Sequence, residues 1–230
     1  KMSEIIAIDG PAGSGKSTIG KLLADHLNYL FVDTGVMYRA VTLAALQLGI
    51  DANDEALVSG LAGEIEIGLQ TPTVEDGRDC DVLIDDIDVT WDIRSAEVDA
   101  HVSIVSAYPE VRRILSMKQR QIGLQGNVVM MGRDIGTVIL PDADLKIYLD
   151  ASVEERANRR FTERISRGED VEYEPILEVL RERDTIDSTR DVAPLKPADD
   201  AIIIDTDGYS IEEVFLKILE LRNKLSVQKP

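Results

Sequence analysis

Residues 5–18 read IIAIDGPAGSGKST, a short apolar run followed by glycines at positions 10, 13 and 15 and then Lys16, Ser17 and Thr18. No other stretch limits the possible folds as strongly. The apolar run predicts a buried strand ending at Asp9, and the spacing after Gly15 predicts a helix. The chain must turn sharply between them, through residues that tolerate positive φ. Gly10-Pro11-Ala12-Gly13-Ser14-Gly15-Lys16-Ser17 matches G-x-x-x-x-G-K-[ST] in the context that motif requires. Successive N–H groups of such a loop point inward, and the helix that follows adds its positive end. Residues Gly10, Pro11, Ala12, Gly13, Ser14, Gly15, Lys16, Ser17 and Thr18 are therefore the expected cradle of a nucleoside triphosphate. Lys16 would reach its β- and γ-phosphate oxygens, and Ser17 would ligate Mg²⁺.

Further apolar runs recur at residues 30–33, 127–131, 145–149 and 201–204, without the strict alternation of a half-exposed strand. Helical spacing separates them, over 16–28, 36–48, 95–107, 110–123, 152–167, 174–189 and 211–225. In the first of these, Ile19, Leu22, Leu23 and Leu27 share one face. Strands alternating with helices predict an α/β fold with a parallel, doubly wound sheet. Residues 64–92 break the rhythm, alternating like antiparallel strands around an Asp85-Asp86 turn. The acidic run over 75–92, with Arg78 its single arginine, reads as a solvated face.

Charge and composition exclude several classes. The net charge of −18 repels nucleic acid and anionic lipid, so neither is an expected partner. The apolar runs fall well short of a bilayer span, and no leader is expected ahead of Met2, Lys1 being read as an addition. One cysteine, Cys80, permits no internal disulfide, which fits a cytoplasmic location. Against this acidic background stand 16 arginines, with Arg156, Arg159, Arg160, Arg164 and Arg167 crowded together. Clustered guanidinium groups on an acidic chain suit a small, highly anionic ligand.

The cradle alone does not name a reaction. There is no N-K-x-D guanine reader, and no apolar strand ends in Asp-Glu as in hydrolytic ATPases. The strand at 127–131 runs instead into Gly132-Arg133-Asp134, on the ligand side if the sheet is parallel. Asp33-Thr34-Gly35 spells the aspartic-protease triplet, but only once and in an α/β context; Thr34 as a helix cap is the simpler reading.

The sequences IDGPAGSGKST, DTGVMYRAVTLAAL, SIVSAYPEVRRIL, GRDIGTVILPDADLKIYLDAS, ERANRR and RERDTIDSTRDVAPLKPADDAIIIDT together resemble the bacterial cytidylate kinases, members of the nucleoside monophosphate kinase family. The resemblance covers nearly the whole chain. It implies a P-loop three-layer sandwich with a five-stranded parallel sheet, a β-rich NMP-binding insert over 63–92 and a helical lid near 152–170. The kinase core would then be 2–62 and 93–226. It also implies a monomer that transfers a phosphoryl group from ATP to CMP or dCMP with Mg²⁺. Arg39, Arg133 and Arg190 would hold the acceptor phosphate, with Asp33, Thr34 and Tyr38 beside it. Ser103, Arg112 and Asp134 would read cytosine, and Arg183 and Asp187 the ribose. Lys16, Arg133, Arg190, Arg156 and Arg160 would be catalytic, the last two as lid arginines on the triphosphate. Two alternatives remain beside it: a UMP/CMP or other small-molecule kinase, and a nucleotide-binding switch that transfers nothing.

Overall fold

The central strand of the main sheet is β1 (Ile5–Asp9), and the order of its neighbours decides where a ligand can sit. In this computed structural model, which describes residues 4–70 and 72–228, β1 is followed by α1 (Lys16–Leu27), β2 (Leu30–Asp33), α2 (Gly35–Gln47) and α3 (Glu55–Glu64). Three short strands come next, β3 (Ile67–Gln70), β4 (Asp81–Ile84) and β5 (Ile87–Asp88), then α4 (Ala96–Val105) and α5 (Pro109–Gly123). The chain closes with β6 (Val128–Gly132), β7 (Leu145–Asp150), α6 (Val153–Ser166), α7 (Tyr173–Thr189), β8 (Ile202–Asp205) and α8 (Ile211–Gln228). The readings made for Lys1 and Met2 fall outside the described residues.

Two compact units result. The first comprises Lys1–Val32, Gly123–Thr189 and Ala193–Pro230, and the second Asp33–Ile122 with Arg190–Val192. The five-stranded parallel sheet has the order β2-β6-β1-β7-β8, with β1 paired to both β6 and β7. Ile6, Ile8, Val129, Met131, Ile147 and Leu149 form its buried centre, and α1 and α8 cover it through Ile19, Leu23, Val214 and Ile218. Burial on both faces explains why these strands read as continuous apolar runs. The covering stripe of α1 is Ile19, Gly20, Leu23 and Ala24, whereas Leu22 is exposed. The expected face was thus rotated: small residues let α1 approach the sheet, and Gly20 sits where a Cβ would lie 2.9 Å from the Phe31 ring.

The second unit has its own core, built by α2, α3, α4 and α5 around the antiparallel sheet β3-β4-β5. Asp85 and Asp86 both take positive φ (49° and 65°), the requirement of a two-residue hairpin turn. This unit is much wider than the 63–92 segment, because a three-stranded sheet with a two-residue edge strand buries too little by itself. Helix α3 was not anticipated. Its signal was present: Asp54 caps it, accepting from Leu57 N at 3.1 Å, and Val58, Leu61 and Ala62 make its buried face. The acidic run also differs from a purely solvated face. Arg78, with 6% of its side chain exposed, pairs with Asp76 (2.8 Å), Asp81 (2.9 Å) and Asp88 (2.7 Å). The Trp91 indole also donates to Asp76, at 2.8 Å. No group of side chains with metal-ligand spacing occurs among the described residues, and no described helix is long and apolar enough to cross a membrane.

Candidate functional site: a phosphate loop and its arginines

In register, Asp9 at the tip of β1 lies opposite Gly132 of β6 and Tyr148 of β7. Parallel pairing therefore delivers the glycine loop and Arg133-Asp134 side by side at the carboxyl ends of the strands, where α/β sheets bind ligands. The loop's geometry depends on glycine at two places. Gly10 has φ +149°, and a Cβ there would lie 2.0 Å from the Leu149 carbonyl oxygen, so the chain can pass β7 only without a side chain. Gly13 has φ +79°, with a hypothetical Cβ 3.2 Å from Arg156 Cβ.

Within the loop, the Pro11 carbonyl is a common acceptor. Ser14 donates to it through Oγ (3.0 Å) and N (3.4 Å), and the Lys16 ammonium donates to it as well. Lys16 is only 4% exposed and also reaches Ser14 Oγ at 3.4 Å. The Pro11 and Ser14 oxygens that it meets are neutral, and an ammonium binds anionic oxygens more strongly. Ser17 is exposed in the first turn of α1.

Asp9 joins the loop to the β6 tip. Its two carboxylate oxygens accept from Ile135 N and Gly136 N, each at 2.8 Å, in the single π-helical turn Ile135–Ile139 that follows Asp134. Burial pushes the Asp9 carboxyl up to about 6; the two N–H groups oppose this, Asp134 adds to it and Lys16 lowers it. Sequence reading placed Asp9 at the strand end and gave it no role.

Helices α6 and α7 pack through Ala157, Ile176, Leu177 and Leu180, with Ala12 of the loop and the edge-on rings of Phe161 and Tyr173 against them. The stripe on α7 turns from apolar to acidic, Leu180 being followed on the same face by Asp184 and Asp187. Asp187, 3% exposed, accepts from Arg133 Nε at 2.8 Å. Asp184 takes both terminal nitrogens of Arg156, which is 4% exposed and also donates to Ala151 O and Ala12 O, both at 3.0 Å. Arg156 thus engages the chain itself through four hydrogen bonds. Arg160 is on the exposed side, 3.2 Å from Glu163, while Arg159 bonds Glu155 and Thr206.

In the second unit, the Asp33 carboxylate accepts from Gly35 N at 2.8 Å. Thr34 precedes α2 without a side-chain capping bond, so the cap expected of it is not made. One turn on, Arg39 donates to Ile93 O (3.0 Å) and Asp99 (2.6 Å). Arg112 of α5, 2% exposed, lies with its guanidinium 5.4 Å from the centre of the Tyr38 ring and donates to Ser106 O at 3.0 Å. Ser103 is on α4 near that carbonyl, its own carbonyl accepting from Ser106 Oγ at 3.0 Å. Arg190 follows α7 in sequence but belongs to this unit, 9% exposed. The first unit therefore carries the loop, Arg133, Asp134, Arg156, Arg160, Arg183 and Asp187; the second carries Asp33, Thr34, Tyr38, Arg39, Ser103, Arg112 and Arg190. Burying so many guanidinium groups is costly unless an anion or carboxylate repays the lost hydration.

Comparison with known proteins agrees with this chemistry. The family model described as cytidylate kinase matches residues 6–224. A protein named cytidylate kinase from Herpetosiphon aurantiacus is 54% identical over 216 residues, covering 94% of this chain and 93% of that one. Cytidylate kinases of Chloroflexus aggregans (52% over 217 residues, covering 94% and 93%) and Bacillus subtilis (48% over 215 residues, covering 94% of each) are similar over the same extent. Among solved structures, an uncharacterised protein from Eubacterium ventriosum superimposes with a TM-score of 0.51 at 12% identity, covering 96% of this chain and 99% of that one, a likeness of fold alone. With a family match over nearly its full length and relatives at about half identity, the chain belongs to the cytidylate kinase family.

Proposed function

We propose that this protein transfers the γ-phosphoryl group of ATP to CMP or dCMP, giving ADP and CDP or dCDP. The observation that carries the reading is the glycine loop with buried Lys16, delivered by the register of β1 and β6 beside Arg133 and Asp134. An acceptor phosphate has a second pKa near 6, so it is largely dianionic at neutral pH and needs no general base. The difficulty is charge: each unit pair of like charges at about 4 Å costs roughly 1 kcal/mol in water and several-fold more in a drier site. Arg39, Arg133 and Arg190 supply the compensating positive charge, with Asp33, Thr34 and Tyr38 beside the acceptor phosphate. Arg183 and Asp187 contact the ribose. Lys16 holds the donor's β- and γ-phosphates, and Arg160 approaches from α6. Catalysis is then positioning and charge stabilisation.

The exposed Ser17 hydroxyl, at the positive end of α1, fits a ligand of Mg²⁺, which when bound neutralises part of the triphosphate charge. Asp134, 4% exposed, reads cytosine by accepting from its N4 amino group, where uracil presents an oxygen; Ser103 and Arg112 complete the base contacts. The net charge of −18 supports small nucleotides rather than nucleic acid as partners. The proposal includes a monomer acting in the cytoplasm in pyrimidine nucleotide metabolism. Assaying ATP with CMP, dCMP, UMP, AMP and GMP tests the reading: cytosine nucleotides should be the best acceptors, and equal rates with UMP would refute it.

A further inference from the structure

Arg156 has five N–H donors, and its bonds to Ala151 O, Ala12 O and both oxygens of Asp184 use four of them. One of these partners belongs to the phosphate loop. The Ala12 carbonyl and the Gly13 N–H share a planar trans peptide, in which the two point in opposite directions. Holding Ala12 O against Arg156 therefore turns the Gly13 N–H to the side of the loop away from α6. Ala12 also rests on the apolar cluster of Ile176, Leu177 and Leu180, and Gly13 is so close to α6 that a Cβ would lie 3.2 Å from Arg156 Cβ. The loop thus leans on the α6–α7 hairpin through one peptide unit, and the fork of Asp184 holds the guanidinium that orients it.

We infer that Arg156, clamped by Asp184, is a positioning residue for the donor triphosphate, aiming the Gly13 N–H at a phosphate instead of contacting the phosphate itself. This rests on the kinase reading for the identity of the donor. It differs from a lid arginine's role in a way that charge can separate. Asp184 is an anion, so replacing it with neutral asparagine should strengthen a triphosphate's binding by simple electrostatics; a positioning role predicts weakening.

The test measures binding of tripolyphosphate with Mg²⁺, of ATP with Mg²⁺, and of CMP, by calorimetry on the full chain, for wild type, Arg156→Lys, Asp184→Asn and the double variant. Each single substitution should weaken tripolyphosphate and ATP by about tenfold, the value of one lost charge-assisted bond. The double variant should be no worse than either single one, since both break the same support. CMP affinity should stay within about twofold of wild type, a selectivity that general loosening of the fold would not give. Unchanged or tighter tripolyphosphate binding by Asp184→Asn overturns the inference, as does an equal loss of CMP affinity. Wild type that fails to phosphorylate CMP while the tripolyphosphate pattern holds would sink the assigned reaction and leave the positioning role standing.

Discussion

The buried carboxylate of Asp9 makes a prediction whose sign and size both follow from the structure. Both its oxygens are occupied by backbone N–H groups at 2.8 Å, yet burial still raises the carboxyl to about 6 from its ordinary 3.8. A carboxyl that holds its proton more tightly folded than unfolded makes the native state bind more protons between those two values. Stability from this group is therefore fully present below about pH 4 and declines as pH rises through about 6. The gap amounts to about 3 kcal/mol. In the variant Asp9→Asn, the new side-chain amide would face one backbone N–H with its NH₂ group, a donor against a donor. That costs a further 1–3 kcal/mol or so, but equally at every pH. Urea unfolding of wild type and Asp9→Asn at intervals from pH 4.5 to 7.5 isolates the effect, because carboxylates that do not interact with Asp9 cancel in the difference. The advantage of wild type over the variant should shrink by about 2 kcal/mol across that interval, most steeply near pH 5 and levelling off above about 6. A difference that stays flat, or grows with pH, would refute the argument that burial outweighs the two N–H bonds.

Gly10→Ala should lose at least about 3 kcal/mol, since a Cβ 2.0 Å from Leu149 O meets main chain that β1 and β8 hold in place; thermal unfolding within a degree or two of wild type would contradict it. Asp187→Asn removes the charge facing Arg133 Nε and should destabilise by about 1.5–3 kcal/mol, raising KM for CMP while KM for ATP stays near wild type; a rise confined to ATP would count against it. Arg78→Gln should shift the emission of Trp91, the single tryptophan, because Arg78 and the indole share Asp76. Arg78, ahead of the Trp91 indole, holds the Asp76 carboxyl below the usual carboxylate range, while Thr90 and then Arg78 hold Asp88 at about 2, so wild-type emission should stay level as pH falls to about 3, and that of the variant should change near 4, where Asp76 loses its main partner. Identical acid profiles for both proteins would show that the cluster does not depend on Arg78.

Much of this molecule was legible from residue order because the constraints are local. The glycine loop must follow a buried strand and precede a helix, and consecutive residues carry that requirement. The apolar runs announced the parallel sheet, since strands covered on both faces cannot alternate. The Asp85-Asp86 turn was readable for the same reason: two adjacent residues accept positive φ. The rotated face of α1 and the capped helix α3 were local too, and a closer weighing of Gly20 and of Asp54 would have found them.

Tertiary structure alone decided which charged groups face one another. Asp9 meets the backbone of residues 126 and 127 positions away, and Arg156 meets Asp184 across 28 positions and Ala12 across 144. No periodicity or motif encodes such separations, because they arise when parallel pairing aligns the tips of β1, β6 and β7 and when α6 packs on α7. Arginines that composition could only count were thereby sorted. Arg156 became a partner of Asp184 and of the Ala12 carbonyl in the loop, Arg78 the centre of an acidic cluster, and Arg133 a partner of Asp187 beside the strand tips. Sequence determined the kind of anion the chain can cradle, since the cradle is backbone in a locally dictated shape. The fold determined which guanidinium groups hold that shape, since pairing of charges depends on distance in space.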